Sequence, residues 1–328
     1  MTTDIELPNG GEAGVPLHDE GDGRRPPARH PDVVSRLWER FRRKPPKTAF
    51  VLSGGGNMGA LQVGMLRALL ERRIRPDLVL GCSIGALNGC ALAAEPTLGM
   101  IGRLQEVWLD LEDKDVLPHA LLPSTVQLAR RGSAIHSADG LRSIIESVLE
   151  DRWSRFEDLA VPFGCVATDL ARAEEHWFDS GPLVEPILAS AAIPAVFPPV
   201  EIDGVSYLDG AIVNDVPLSR AVELGATKIY ALHVGSFDRP RPEPRRPLDV
   251  AMQAYWIARR HRFKRDLASL PAGVEVMVLP TGEAPALRFN DLRHSDSLIA
   301  ASYMASVAYL DAAPTDARAP EEAPKPAQ

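Results

Sequence analysis

The chain has little of several features that mark particular classes of protein. It has 3 cysteines in 328 residues, Cys82, Cys90 and Cys165, and each stands in an apolar stretch. They are too few for a disulfide framework and suit small buried side chains in a reducing compartment. No uninterrupted apolar run approaches the length of a membrane span, and Asp4 and Glu6 interrupt the N-terminus where a secretory signal would be apolar. We therefore expect a cytoplasmic protein.

An excess of positive charge is also absent. The 36 basic and 44 acidic side chains give a formal net charge of −8, whereas neutralising nucleic-acid phosphates requires a broad basic field. No His-Glu-x-x-His pattern or clustered ligand spacing indicates a metal site. We therefore expect no nucleic-acid partner, no metal and no cofactor. What is present, 45% hydrophobic and 24% charged residues, is typical of a globular protein.

Composition divides the chain into four segments. Residues 1–31 and 312–328 are rich in proline and either glycine or charge, which predicts disordered tails. Residues 32–46 combine apolar positions at helical spacing with five basic residues, which predicts a short basic amphipathic helix. Packing on the domain edge and contact with a membrane surface both stay open for that helix. The remaining residues, 47–311, contain no linker and predict one domain.

Within that domain, strand and helix patterns alternate. We expect strands at 49–53, 77–82, 161–168, 228–234 and 274–279, helices at 58–71, 86–94, 100–111, 140–149 and 182–192, and a hairpin at 201–207. A later helix carries an apolar stripe, and its basic residues Arg259, Arg260, Arg262, Lys264 and Arg265 are expected on a solvated face. The alternation predicts an α/β fold: a single three-layer domain with a mostly parallel central sheet flanked by helices.

The sequence Gly81-Cys82-Ser83-Ile84-Gly85 lies between an apolar strand and a helix. Strand, sharp turn and helix are the context in which G-x-S-x-G forms a nucleophile elbow, and glycines let the strand and helix approach closely. Ser83 is therefore the candidate nucleophile. Cys82 is not, because alternation along the strand points its side chain elsewhere. The alternative is an ordinary β-α turn that contains a serine.

A glycine-rich loop, Gly54-Gly55-Gly56-Asn57-Met58-Gly59, follows the first strand and opens the first helix. Its exposed N–H groups suit an oxyanion hole. The glycines at 54, 56 and 59 also match a dinucleotide fingerprint, which requires an acidic residue at the end of the second strand. Asp77 begins that strand instead, so we prefer the oxyanion hole.

An aspartate that ends an extended segment is the candidate base. It is Asp209, followed by Gly210 and Ala211. A conventional triad would add a downstream histidine, for which His233 at a strand end is the best candidate. The small-residue segment 189–199 passes into an apolar loop that we expect to wall an acyl pocket.

Together these blocks resemble the patatin-like phospholipase family over about residues 49–311. The resemblance implies that Ser83 is the nucleophile, that Asp209 is its partner without a histidine, and that Gly54, Gly55 and Gly56 supply the oxyanion hole. The remaining motif positions are Gly59, Gly81, Gly85, Gly210 and Ala211. The family usually carries Arg or Lys just before the last glycine of the loop, where this chain has Met58.

These observations predict a serine acyl hydrolase that cleaves ester bonds of phospholipids or other lipids through an acyl-enzyme. An exposed aspartate is a weak base, so Asp209 is expected to be buried and within hydrogen-bond reach of Ser83. Two alternatives remain. One is a lipid-binding protein with little turnover, which Met58 in place of the usual Arg or Lys would favour. The other is an NAD(P)-dependent oxidoreductase. Peripheral contact with the inner membrane surface and the oligomeric state stay open.

Overall fold

The computed structural model describes residues 48–111, 138–150, 152–235, 247–283 and 292–312. The predicted tail at 1–31 and the predicted helix at 32–46 lie outside these residues. Of the predicted tail at 312–328, only Ala312 is described, and it is the last residue of a helix.

The described strands form one sheet. They are β1 (Thr48–Leu52), β2 (Leu78–Cys82), β3 (Phe163–Asp169), β4 (Glu174–Phe178), β5 (Val200–Ile202), β6 (Val205–Asp209), β7 (Lys228–Leu232) and β8 (Glu275–Val278). The order is β5-β6-β3-β2-β1-β7-β8, with β4 paired to β3. Five neighbouring strands run parallel to one another, in the order β3, β2, β1, β7 and β8, so their carboxyl ends lie at one edge of the sheet.

The other end of the sheet is antiparallel. β3 pairs with β2 through its first half, with β6 through its last residues, and with β4. β5 and β6 form the predicted hairpin, and Asp203 and Gly204 at its turn have φ of 50° and 78°. Positive φ at both turn residues is the tight geometry that Asp-Gly favours, so the hairpin prediction is confirmed.

Helices cover both faces of the sheet. They are α1 (Ala60–Glu71), α2 (Ile84–Ala94), α3 (Leu98–Asp110), α4 (Asp139–Leu149), α5 (Val184–Ser190), α6 (Leu218–Glu223), α7 (Pro247–Ala268) and α8 (Ser295–Ala312). Phe50 and Leu52 of β1 join the core formed with α1 to α4 and α8, whereas Ala49 and Val51 face the core with α6 and α7. This alternation buries both faces, as a central parallel strand requires. The predicted three-layer α/β architecture is confirmed.

The boundaries of the predicted elements differ from those in the structure by one or two residues. A 3₁₀ turn at Gly56–Gly59 precedes α1, so the first helix starts later than expected. The helix predicted at 182–192 is limited to Val184–Ser190. β4 was not predicted, because it is a half-exposed strand without strict alternation of apolar and polar residues. Among the described helices, none has the length and hydropathy that crossing a membrane requires.

Candidate active site

Ser83 occupies a sharp turn between β2 and α2. Its φ of 54° and ψ of −126° lie in a region that side chains rarely adopt, and the residue is 4% exposed. A Cβ on Gly81 would stand 2.4 Å from the Gly85 carbonyl oxygen, and one on Gly85 would stand 2.4 Å from the Leu52 oxygen. Both glycines are therefore required by close backbone approach, and the strain at Ser83 is of the kind that persists at functional sites.

One hydrogen bond from another helix holds the elbow, and the Ser83 hydroxyl is not used to cap α2. The Ser83 N–H donates to Ser190 Oγ at 2.8 Å, and Ser190 is fully buried at the end of α5. Ser83 is the residue that caps α2, yet its side chain makes no capping hydrogen bond. From the sequence, Ser190 is expected only in the pocket wall, because nothing in the local pattern links it to a residue 107 positions earlier.

Strand pairing brings Asp209 to the same edge of the sheet. Cys82 pairs with Val166 across β2 and β3, and Asp209 at the end of β6 pairs with the next residue of β3, Ala167. The aspartate is 1% exposed, as expected. A Cβ on Gly210 would stand 2.2 Å from the Val166 oxygen, so the glycine after the aspartate is needed for this approach.

The Asp209 carboxylate has three hydrogen-bond donors on Oδ1. They are the Ala211 N–H at 2.8 Å, the Tyr255 hydroxyl at 3.4 Å and the Cys82 thiol at 3.9 Å. Burial raises the pKa of Cys82 well above its usual value, so the thiol stays protonated and is not a competing nucleophile.

Burial raises the pKa of Asp209 to about 6, against the opposing effects of the Ala211 amide and the Ser83 side chain. A base that titrates near 6 is ionised at neutral pH yet accepts a proton more readily than an ordinary aspartate. The Ser83 hydroxyl lowers the pKa of Asp209 as a hydrogen-bond donor. Among the described residues, however, no group forms a hydrogen bond of ordinary geometry with Asp209 Oδ2. The hydrogen bond expected between Ser83 and Asp209 is therefore not formed with ordinary geometry, and the effect of Ser83 on the pKa of Asp209 is the sign that the two side chains are close.

The glycine-rich loop lies directly against the elbow. A Cβ on Gly54 would stand 3.0 Å from Ser83 Cβ, and one on Gly55 would overlap Val234 at 2.2 Å. The Gly54 N–H donates to Asp215 Oδ1 at 2.9 Å. This hydrogen bond corrects the expectation for Gly54, whose amide is already committed. The candidate oxyanion donors are thus reduced to the Gly55 and Gly56 amides.

A buried ion pair stands behind this loop. Arg259 Nη2 bonds to Asp215 Oδ1, and it also donates to the Gly54 carbonyl oxygen at 3.0 Å. The expectation that Arg259 belongs to a solvated face is therefore wrong: it is 5% exposed, whereas Arg260, Lys264 and Arg265 are exposed. Burial is the largest single effect on the pKa of Arg259 and lowers it, but the charge and hydrogen bond of Asp215, together with Tyr255 and Asp209, raise that pKa above its usual value, so the guanidinium stays charged.

His233 lies at the carboxyl end of β7 and is buried. Its ring stacks on Phe263 with 4.9 Å between ring centroids. Burial and the nearby Arg259 charge lower the pKa of His233 to about 3, so the ring is neutral at neutral pH. None of the contacts described for Ser83 or Asp209 involves this histidine.

An apolar cavity that is partly open to solvent has Ser83 in its wall. Its walls come from the glycine-rich loop, α2, α3, α4 and the segment after α5, including Trp108, Leu141, Ile144, Val196 and Phe197. The segment after α5 therefore lines the cavity, as expected. Such a space accommodates an apolar chain whose reacting end meets the serine.

A dinucleotide site, the alternative interpretation of the glycine-rich loop, fits this geometry poorly. Asp77, which a dinucleotide site would need at the end of β2, lies before β2, and its Oδ2 accepts a hydrogen bond from the Thr48 N–H. β2 ends instead at the serine elbow. Within the described ranges, no group of three or more His, Cys, Asp or Glu side chains is arranged to hold a metal ion.

Comparison with known proteins gives a consistent family. The family model for patatin-like phospholipase matches residues 50–222. A "Patatin-like phospholipase domain-containing protein 7" from Rattus norvegicus is 33% identical over 217 residues, which are 66% of this chain and 15% of the rat protein. An uncharacterised NTE family protein of Mycobacterium tuberculosis is 31% identical over 230 residues, 69% of this chain and 59% of that protein. The matched part of the chain therefore corresponds to 15% of the length of the rat protein and 59% of the length of the mycobacterial protein.

Among solved structures, VipD from Legionella pneumophila is similar with a TM-score of 0.40 and 15% identity, over 82% of this chain and 67% of VipD. Human GIVD cytosolic phospholipase A2 is similar with a TM-score of 0.40 and 12% identity, over 81% of this chain and 58% of the human chain.

Proposed function

Since the chain belongs to the patatin-like phospholipase family, we propose that it is a serine hydrolase that cleaves the ester bonds of phospholipids or related lipids. The observation that carries the proposal is the juxtaposition of a strained, buried Ser83 with a buried Asp209 at the mouth of an apolar cavity. The names of several relatives describe phospholipases, which favours a lipid ester over a small polar one.

The first half of the reaction acylates Ser83. Its Oγ attacks the ester carbonyl carbon while Asp209 takes the hydroxyl proton, and negative charge develops on the carbonyl oxygen. The Gly55 and Gly56 amides are the proposed donors to that oxygen, aided by the N-terminus of α2. The carbon–oxygen bond to the leaving alcohol then breaks, and the alcohol takes the proton from Asp209.

The second half frees the enzyme. A water molecule loses a proton to Asp209 as it attacks the acyl carbon, and the Ser83 ester bond breaks. Ser83 regains a proton from Asp209, and the fatty acid leaves. The raised pKa of Asp209 matters in both halves, because each half requires it first to accept and then to return a proton.

The test is ester release by the wild type and by Ser83→Ala and Asp209→Asn, measured with a short-chain nitrophenyl ester and with phospholipid vesicles. Ser302→Ala and Asp169→Asn are matched controls, because both side chains are buried and neither contacts the proposed site. The proposal expects loss of release in the first two variants and near wild-type release in the controls. A folded wild type that hydrolyses neither substrate favours the lipid-binding alternative. A higher melting temperature with NAD(P) favours the oxidoreductase.

Contact with a membrane surface stays a prediction. The exposed basic residues of α7 are Arg260, Lys264 and Arg265, which suit anionic headgroups. Vesicle flotation of the full chain and of a form without residues 1–47 tests it: absence of binding to anionic vesicles by both forms removes the prediction.

A further inference from the structure

The Arg259–Asp215 pair is unusual because both side chains are 5% exposed. Removing two charges from water is costly, and their attraction alone seldom gives a net stabilisation over apolar packing. A buried pair beside a candidate active site therefore calls for a role in that site. The mechanism above uses neither residue.

Both members of the pair hold the same residue of the glycine-rich loop. Asp215 Oδ1 accepts the Gly54 N–H at 2.9 Å, and Arg259 Nη2 donates to the Gly54 carbonyl oxygen at 3.0 Å. The peptide group is planar and trans, so a fixed Gly54 C=O fixes the Gly55 N–H in the opposite direction. The pair thereby sets the direction of the first candidate oxyanion donor.

The same arginine also faces the candidate base. Its guanidinium lies over the rings of Tyr255, at 5.3 Å, and Trp256, at 4.1 Å. Tyr255 in turn donates its hydroxyl to Asp209 Oδ1 at 3.4 Å. One side chain of α7 therefore contacts both the oxyanion loop and the residue that orients the base.

We propose that Arg259 and Asp215 are positioning residues that clamp the Gly54–Gly55 peptide in its donating orientation and place a fixed cation behind the oxyanion loop. The proposal rests on the proposed function. Met58, just before the last glycine of the loop, has a half-buried side chain that packs against the apolar core. Arg259 brings a cation to the loop from α7.

The charges of the pair act on Asp209 in opposite directions. The groups that face this carboxylate are Ser83, Cys82, Tyr255, Arg259 and Asp215. The Arg259 charge lowers the pKa of Asp209, and the Asp215 charge raises it. Hydrolysis needs an ionised base, so activity rises with pH through this pKa. Arg259→Met should move that rise to higher pH, and Asp215→Asn should move it to lower pH.

The experiment measures kcat and KM for a nitrophenyl ester between about pH 4 and 9 for the wild type, the two variants and Arg259→Lys. We expect kcat for Arg259→Met to fall roughly tenfold or more at neutral pH with KM little changed, since only transition-state contacts are lost. Arg259→Lys keeps the charge but cannot reach both partners, so its pH profile should stay while kcat falls. Arg262→Met is the control: this arginine, three residues on, pairs with Glu175 and Asp266.

The outcomes separate this proposal from the proposed function. If the wild type hydrolyses the ester, Ser83→Ala does not, and Arg259→Met and Asp215→Asn keep the wild-type kcat and pH profile, the positioning role is wrong and the function stands. A fall in kcat without opposite shifts in the pH profile also overturns it, because it indicates a merely structural pair. If Arg259→Met does not fold, Arg259→Lys and Asp215→Asn carry the test. A wild type without esterase activity overturns the function itself.

Discussion

Ser190 Oγ accepts the Ser83 N–H at 2.8 Å and so ties the end of α5 to the nucleophile elbow. The contact joins two fully or nearly buried residues, and it satisfies an amide that the strained turn would otherwise leave unpaired. The strained turn at Ser83 is therefore tied to a residue 107 positions later in the chain.

Ser190→Ala should slow hydrolysis and lower stability. The buried amide loses its acceptor, which costs about 1–3 kcal/mol of unfolding free energy, and the relaxed turn misplaces Oγ. We expect kcat to fall roughly tenfold or more. Kinetics and thermal melting check this, with Ser302→Ala as the control because its Oγ serves only the Ile299 carbonyl in the described contacts. A Ser190→Ala enzyme with wild-type kcat would show that the turn at Ser83 keeps its conformation without the Ser190 hydrogen bond.

Asp209→Asn should make the protein more stable above pH 6 while abolishing its activity. The pKa of Asp209 is raised from 3.8 to about 6, so ionised Asp209 weakens the folded state. The sign follows from linkage: no penalty exists below the unfolded pKa, the penalty grows as pH rises, and it is complete above the folded pKa. A shift of this size corresponds to about 3 kcal/mol.

Denaturant unfolding of the wild type and Asp209→Asn near pH 4 and near pH 8 measures this difference. The variant should be little different at the lower pH and more stable at the higher one. Equal differences at both pH values would mean that Asp209 is not a buried charge in the folded protein.

Chain-length preference should follow the size of the apolar cavity. Ile144 and Phe197 line it and are almost fully buried. Ile144→Phe adds volume to the wall and should shift the preference towards shorter acyl esters, whereas Phe197→Ala should shift it towards longer ones. The ratio of kcat/KM for long and short nitrophenyl esters should change roughly tenfold in opposite directions. A change of this ratio in the same direction in both variants would mean that the acyl chain does not bind in this cavity.

His233→Gln should leave most of the activity. The ring is neutral and stacked on Phe263, so its loss affects packing rather than proton transfer. We expect kcat/KM within a few-fold of the wild type and an unchanged pH profile, whose rise near pH 6 belongs to Asp209 and not to a histidine. An inactive, folded His233→Gln beside an active Asp209→Asn would instead establish a histidine base.

The sequence was informative where the chemistry is local. Ser83 and Asp209 became candidates because short motifs place each at a strand end. Their meeting depends on a pairing that is not local: β6 runs antiparallel to β3 and pairs with its last residues, so Asp209 lies beside Ala167, next to the Val166 that pairs with Cys82. The Arg259–Asp215 pair was missed because its members are 44 residues apart, and a charged residue on a basic helix shows no sign of burial until its partner is known. The commitment of the Gly54 amide was missed for the same reason.

The most direct test of the central claim is to find the residue that an alkyl fluorophosphonate modifies. Ser83 Oγ should attack phosphorus, fluoride should leave, and Asp209 should take the hydroxyl proton, giving one stable phosphonyl ester. Peptide mass mapping of the folded full chain is expected to show a single adduct on Ser83, formed more slowly in Asp209→Asn and not at all in Ser83→Ala. No adduct on the wild type, or an adduct that persists in Ser83→Ala, would contradict the account.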